Sequence, residues 1–128
     1  LDWALEVATT APGACEPYDL GRLAWFGDAV LFFASVALVV RRWPGIDIST
    51  ARRAVGNLVS NRHLTSLVAA RLPELSTTIV WSPFGSKPSA DNGGKKALAD
   101  AFEALLGAAM VLGGLAGATA LVLSCDWY

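Results

Sequence analysis

Histidine and cysteine are nearly missing from this chain, with one His and two Cys in 128 residues. That scarcity excludes a disulfide-dense scaffold and a His/Cys zinc cluster. Cys15 and Cys125 form no C-x-x-C pair; two reduced, partly buried thiols are the favoured reading, and one long-range disulfide, which would imply an oxidising compartment, stays open. Charge is also scarce, at 16% of residues with a formal net charge of −1. Composition alone therefore lacks the basic footprint of a nucleic-acid binder. The hydrophobic fraction of 54% excludes a disordered chain. No basic segment leads into an apolar run, and Asp2 and Glu6 interrupt the first residues, so no signal peptide is read. Leu1 stands where an initiator Met would, which reads as a processed or truncated start.

The length fits one domain over residues 1–128. Hydrophobic spacing and stop signals predict helices almost throughout, giving an all-α class. A short helical piece covers residues 1 to about 8. A long apolar helix opens near Pro17 and Asp19, runs to Val40 and is ended by Pro44-Gly45. Ser49 or Thr50 caps the next helix, which reaches about Val59. Ser60-Asn61 is a second cap or a kink, and the helix that follows reaches Leu72 before Pro73. Residues 74–94 read as a long Ser/Pro/Gly loop with a β-like patch at 77–81, a length that is usually functional or mobile. Lys95 then starts a helical pair split at Gly113-Gly114. Residues 104–123 carry no charge and could span a bilayer by length alone. The glycine break and the scarcity of bulky side chains favour a soluble, intracellular reading without a membrane.

Gly93-Gly94-Lys95-Lys96 lacks the spacing and the Ser/Thr of a phosphate loop. His63, the one histidine, sits between Arg62 and Leu64 and reads as a surface residue. Chemistry gathers elsewhere. Asp28 lies within an otherwise apolar helix. Asp100 and Glu103 are three residues apart and project from one helix face. Three carboxylates on two largely apolar helices repel one another unless a cation or protons intervene. A hard cation such as Mg²⁺ accepts oxygen ligands, uses few carboxylates and activates water for phosphodiester hydrolysis. Helix-dipole placement also accounts for Asp100 and Glu103 early in their helix, but not for Asp28.

Residues 20–31, Leu-Gly-Arg-Leu-Ala-Trp-Phe-Gly-Asp-Ala-Val-Leu, resemble the N-E-R-L-E-F-L-G-D-[SA]-V-L signature of the ribonuclease III catalytic domain. Residues 99–108 resemble that family's A-D-x-F-E-A-L-I-G-A motif. Leu112-Gly113-Gly114-Leu115 is similar to its D-G-G-L turn except at the Asp. Residues 53–64 are similar to its helix containing L-V-N-N-x-x-L, and residues 1–5 to the start of its first helix. The resemblance implies the family's helical endonuclease fold. It further implies a homodimer that holds double-stranded RNA and cuts one strand per site with Mg²⁺, for which Mn²⁺ substitutes. Carried over by position, Asp28, Asp100 and Glu103 are metal ligands and catalytic residues, and Trp25 is a dimer-interface aromatic.

The family's two signature glutamates fall on Gly21 and Ala24. Ala24 is four residues before Asp28, where a further ligand would project. The compact Mini-III branch, which cleaves RNA, also carries Ala at this place. Water, Glu16 or Asp19 would complete the site. The alternative is a catalytically inactive ribonuclease III-like module that binds RNA or protein in a larger assembly. The chain to Tyr128 leaves no room for a double-stranded-RNA-binding domain, so phosphate contacts are expected from Arg52, Arg53, Arg62, Lys95 and Lys96, with Arg41, Arg42 and Lys87 as further candidates. The loop from Trp81 to Asn92 is a candidate RNA-contacting flap. With so little net positive charge, RNA binding is expected to be weak and strongly salt-sensitive.

Overall fold

A computed structural model of the chain describes residues 20–75 and 92–125, without the side chains of residues 92–95. The expected N-terminal helical piece, Cys15, Glu16, Asp19, the 77–81 patch, Lys87 and the Lys95 side chain lie outside the described residues. The described residues form helices and connecting turns, in agreement with the all-α expectation. Four helices follow one another: α1 Leu20–Arg42, α2 Ile48–Leu58, α3 Asn61–Arg71 and α4 Asn92–Ser124.

Local chemistry accounts for the helix ends. Asp47, not Ser49 or Thr50, caps α2: its Oδ1 accepts from the Thr50 backbone N–H at 2.9 Å. Three cap-competent residues lie close together here, and the Pro44-Gly45 turn fixes the register, with the Ile46 N–H donating to the Trp43 carbonyl at 3.0 Å. Ser60 caps α3 as expected, accepting from the His63 N–H at 3.2 Å. Its hydroxyl also donates to the Asn57 carbonyl at 2.8 Å, so one side chain joins the end of α2 to the start of α3. The last helix begins at Asn92 rather than Lys95. It bends at Gly114, whose φ of 59° and ψ of −154° suit glycine alone. The expected split at Gly113-Gly114 is therefore present as a kink.

Three helices build the core. Leu20, Leu23 and Leu31 of α1 meet Leu64, Leu67 and Val68 of α3 and Phe102, Leu105 and Leu106 of α4. Among the described residues, Phe102 is the largest side chain that is fully buried. Small residues dominate α4 where it faces this core, at Ala99, Ala101, Ala104 and Ala108. α2 packs on α1 and α3 and stands apart from α4.

The α1–α4 crossing is unusually close. A Cβ placed on Gly27 would run into the Glu103 carbonyl, and one on Gly107 would run into the Leu23 carbonyl. Packed helix axes ordinarily stay 8–10 Å apart because side chains separate them; here two backbones touch.

Both α1 and α4 are long and apolar enough to cross a membrane by length and composition, and 33% and 28% of their apolar windows are buried within the protein. The apolar surface of α1 faces two ways. Leu20, Leu23, Ala24, Gly27 and Leu31 are buried on one side. Trp25, Phe32, Val36, Val40 and Trp43 recur at helical spacing on the opposite side and are exposed, Trp25 by 80%.

The crossing gives a sharp mutational contrast. Gly27→Ala and Gly107→Ala force a methyl into backbone and are expected to lower stability by about 3 kcal/mol each. Gly56→Ala, at an exposed helical position where a Cβ meets nothing within 4 Å, is expected to gain about 0.5–1 kcal/mol. Urea midpoints of the three variants against the parent chain measure both; equal effects at positions 27 and 56 would show that the crossing is looser than described.

Candidate functional site

The close crossing of α1 and α4 fixes where the acids fall. Asp28 follows Gly27 on α1, and Gly27 abuts the backbone of Glu103 on α4. Asp100 is one turn before Glu103 on the same face. Asp28 is exposed, whereas Asp100 and Glu103 are partly buried. Glu103 shows the consequence. Its pKa is pushed up to about 7, first by burial, then by the charge of Asp28 and then by that of Asp100. Lys96 works in the opposite direction. The three sequence-selected acids thus lie within electrostatic reach of one another, although they come from distant parts of the chain.

Lys96 was grouped by sequence with the cations expected to meet RNA phosphates. Its Nζ instead lies 2.7 Å from Asp100 Oδ2, forming a salt bridge one turn along α4. The remaining expected cations stand on other elements. Arg52 and Arg53 are exposed in the first turns of α2, and Arg62 is exposed at the start of α3. Arg41 and Arg42 end α1, where the Arg42 guanidinium lies over the Trp43 ring, 5.7 Å from its centroid. Ala24, the position four before Asp28, is buried in the core at 7% exposure.

The donor set is all carboxylate oxygen, the chemistry that hard cations select. The Glu103 pKa is raised first by burial and then by the neighbouring charges of Asp28 and Asp100, and it is this second part that a cation would relieve. Among the described residues, however, no three Asp, Glu, His or Cys side chains are gathered tightly enough to form a finished shell. The residues fit an ion that takes a few carboxylates and completes its shell with water, as Mg²⁺ does.

The electrostatics set a pH dependence. Glu103 has a folded-state pKa above the ordinary carboxyl value of 4.5, so between about 4.5 and 7 the folded chain binds more protons than the unfolded one. Its stabilising contribution is complete below the unfolded pKa and is lost as pH rises through 7. Without divalent ions, stability is expected to fall across that window by on the order of 1–2 kcal/mol, the full shift being discounted for the part of Glu103 that solvent screens. Glu103→Gln is expected to flatten the fall. Urea unfolding at pH 4.5 to 8 in a chelator, on both chains, measures the difference; parallel curves would place Glu103 in a more solvated setting.

A model of the ribonuclease III domain matches residues 21–114. The chain is 33% identical over 104 residues to a curated relative, ribonuclease 3 2 of a Nostoc species, with the match covering 81% of this chain and 41% of the relative. It thus spans about two fifths of that relative's length. Two solved structures of the nuclease domain of ribonuclease III from Campylobacter jejuni share the fold. One superposes with a TM-score of 0.79 at 24% identity, covering 97% of this chain and 85% of the other, and is described as flexible in a region involved in dimer formation. The second gives a TM-score of 0.77 at 22% identity, covering 98% and 84%. The matched domain takes in the Gly27–Gly107 crossing and all three acids, and the chain belongs to the ribonuclease III family.

Proposed function

We propose that the chain is a divalent-metal-dependent endoribonuclease that cuts double-stranded RNA as a homodimer, one strand per site. The observation that carries this reading is the electrostatic convergence of Asp28 and Asp100 on the partly buried Glu103. Asp28, Asp100 and Glu103 would hold the ion, Mg²⁺ by chemistry, with Mn²⁺ as a substitute. When bound, it activates water for attack on a phosphodiester and stabilises the oxygen that leaves. The chain's own part is positional. The α1–α4 contact holds carboxylates from two helices at fixed separation, and the partial burial of Glu103 keeps its oxygens from full hydration. Arg52, Arg53, Arg62, Lys95 and Lys96 remain the proposed RNA phosphate contacts, with Lys96 reaching that role from its place beside Asp100.

The homodimer is supported by the outer face of α1. Trp25, Phe32, Val36, Val40 and Trp43 form an exposed apolar stripe, the kind of surface that marks a protein contact or a membrane. We place it against a second copy in water, with Trp25 as the anchor, because large aromatics carry much of the binding energy at such contacts. A second reading, an inactive module that binds RNA or protein, is favoured by one feature: Ala24 is buried where a further carboxylate would have projected.

Cleavage of a long labelled double-stranded RNA in Mg²⁺ tests the reading, with the chain compared against Glu103→Gln at matched dimer content. Metal-dependent cutting that falls at least about a hundredfold in the variant is the expected result. Folded dimers of the parent chain that cut in neither Mg²⁺ nor Mn²⁺ would overturn it in favour of the inactive module.

The interface has its own test. Trp25→Glu is expected to weaken self-association about a hundredfold while the monomer stays folded, because the ring it replaces is 80% exposed there. Sedimentation equilibrium gives the constants, and an unchanged one would move the interface elsewhere.

A further inference from the structure

Lys96 is placed beside both acids that α4 contributes to the site. Its ammonium lies 2.7 Å from Asp100 Oδ2, with the Lys side chain 65% exposed and that of Asp100 28% exposed. Lysine preceding its acid by four residues is the weaker orientation of such a pair in a helix, and an exposed pair contributes little to stability. The second neighbour sets it apart. The Lys96 charge also reaches Glu103, where it opposes burial, Asp28 and Asp100 together. One ammonium thus meets two acids of the cluster, Asp100 by a salt bridge and Glu103 by its charge.

We propose that Lys96 is the resident counter-charge of the carboxylate site, holding Asp100 in the ion-free chain so that a divalent cation binds in competition with it. The inference rests on the divalent-ion reading above. An Oδ2 oxygen already committed to an ammonium is a poorer ligand for a second cation, and two cations a few ångströms apart repel. The ammonium can leave cheaply, because most of its side chain is in solvent and its stem is flexible. Lys96 is thus a positioning residue acting through Asp100. It lowers the charge repulsion at the crossing before an ion arrives.

Direct Mn²⁺ binding to the chelator-stripped chain, read from the electron paramagnetic resonance of free Mn²⁺, tests this on the parent, Lys96→Met and Lys96→Arg. Thermal unfolding of each is recorded in chelator. Lys96→Met is expected to bind Mn²⁺ roughly tenfold more tightly and to unfold at a lower temperature without ions. Lys96→Arg is expected to keep both parent values. A merely structural lysine would lower stability and metal affinity together, so opposite signs are the signature. Lys96→Gln is measured in parallel and supplies the same comparison should the Met variant fail to fold. An unchanged or weakened Mn²⁺ affinity in folded Lys96→Met or Lys96→Gln would overturn the role of Lys96 alone. Absence of Mn²⁺ binding by the parent and every variant would overturn the divalent-ion reading and this proposal with it.

Discussion

The backbone contact between α1 and α4 at Gly27 and Gly107 is the constraint on which the rest of the structure depends. Each glycine lacks the Cβ that would strike the opposing carbonyl. Glycine inside a helix costs about 1 kcal/mol relative to alanine, so two of them must be offset by what the contact makes possible. What it makes possible is proximity. Asp28 is covalently next to Gly27, and Glu103 lies one turn before Gly107. Bringing the two backbones together therefore brings the two acids together, with no further device. The Gly-Asp step on α1 and the Glu and Gly four residues apart on α4 are each a packing surface and a chemical group in one.

The same proximity has an electrostatic cost that the fold has to carry. Burial and two neighbouring carboxylates hold the Glu103 pKa at about 7. A chain whose core is built so tightly at this crossing has little freedom to move the acids apart. Relief has to come from a proton, from Lys96 or from a cation. This links packing to chemistry: the close crossing that stabilises the core also strains the charges, and a ligand that removes the strain stabilises the fold.

Much of this was legible in the sequence, and the gaps have physical reasons. Helix class, the Ser60 cap, the stop at Leu72-Pro73 and the break at Gly113-Gly114 rest on residues whose backbone preferences are strong and local. The α2 cap was misplaced because Asp47, Ser49 and Thr50 all serve that role, and only the turn before them decides which does. α4 starts at Asn92, across Gly93 and Gly94, whose weak helix propensity had put the expected start at Lys95. Spacing singled out the acidic trio, a lone Asp in an apolar helix and a pair three apart, but helix-dipole placement serves the pair equally well, and only the family resemblance decided between the two. The engagement of Lys96 was hidden by its company: beside Lys95 it reads as part of a basic patch, and only the structure shows its Nζ on Asp100. Near-neutral composition and the proposed function pull in opposite directions, because composition averages over the chain, while a site needs charge only locally.

α1 was legible as a helix but not as a helix with two apolar faces, because residues apolar on all sides leave no periodicity to separate them. The separation matters for the site. Asp28 is three residues after Trp25 and four before Phe32, so the three share one side of the helix. Gly27, next to it, faces α4. Asp28 therefore sits on the border between the crossing and the exposed aromatic stripe. A second copy that covers Trp25 and Phe32 would also draw water away from Asp28, and loss of water strengthens its repulsion of Glu103. In the proposed dimer, self-association and cation binding would then be coupled through one carboxylate. Covering the stripe would raise the charge strain at the crossing and a bound cation would lower it, so each event would change the free energy of the other without a change of fold.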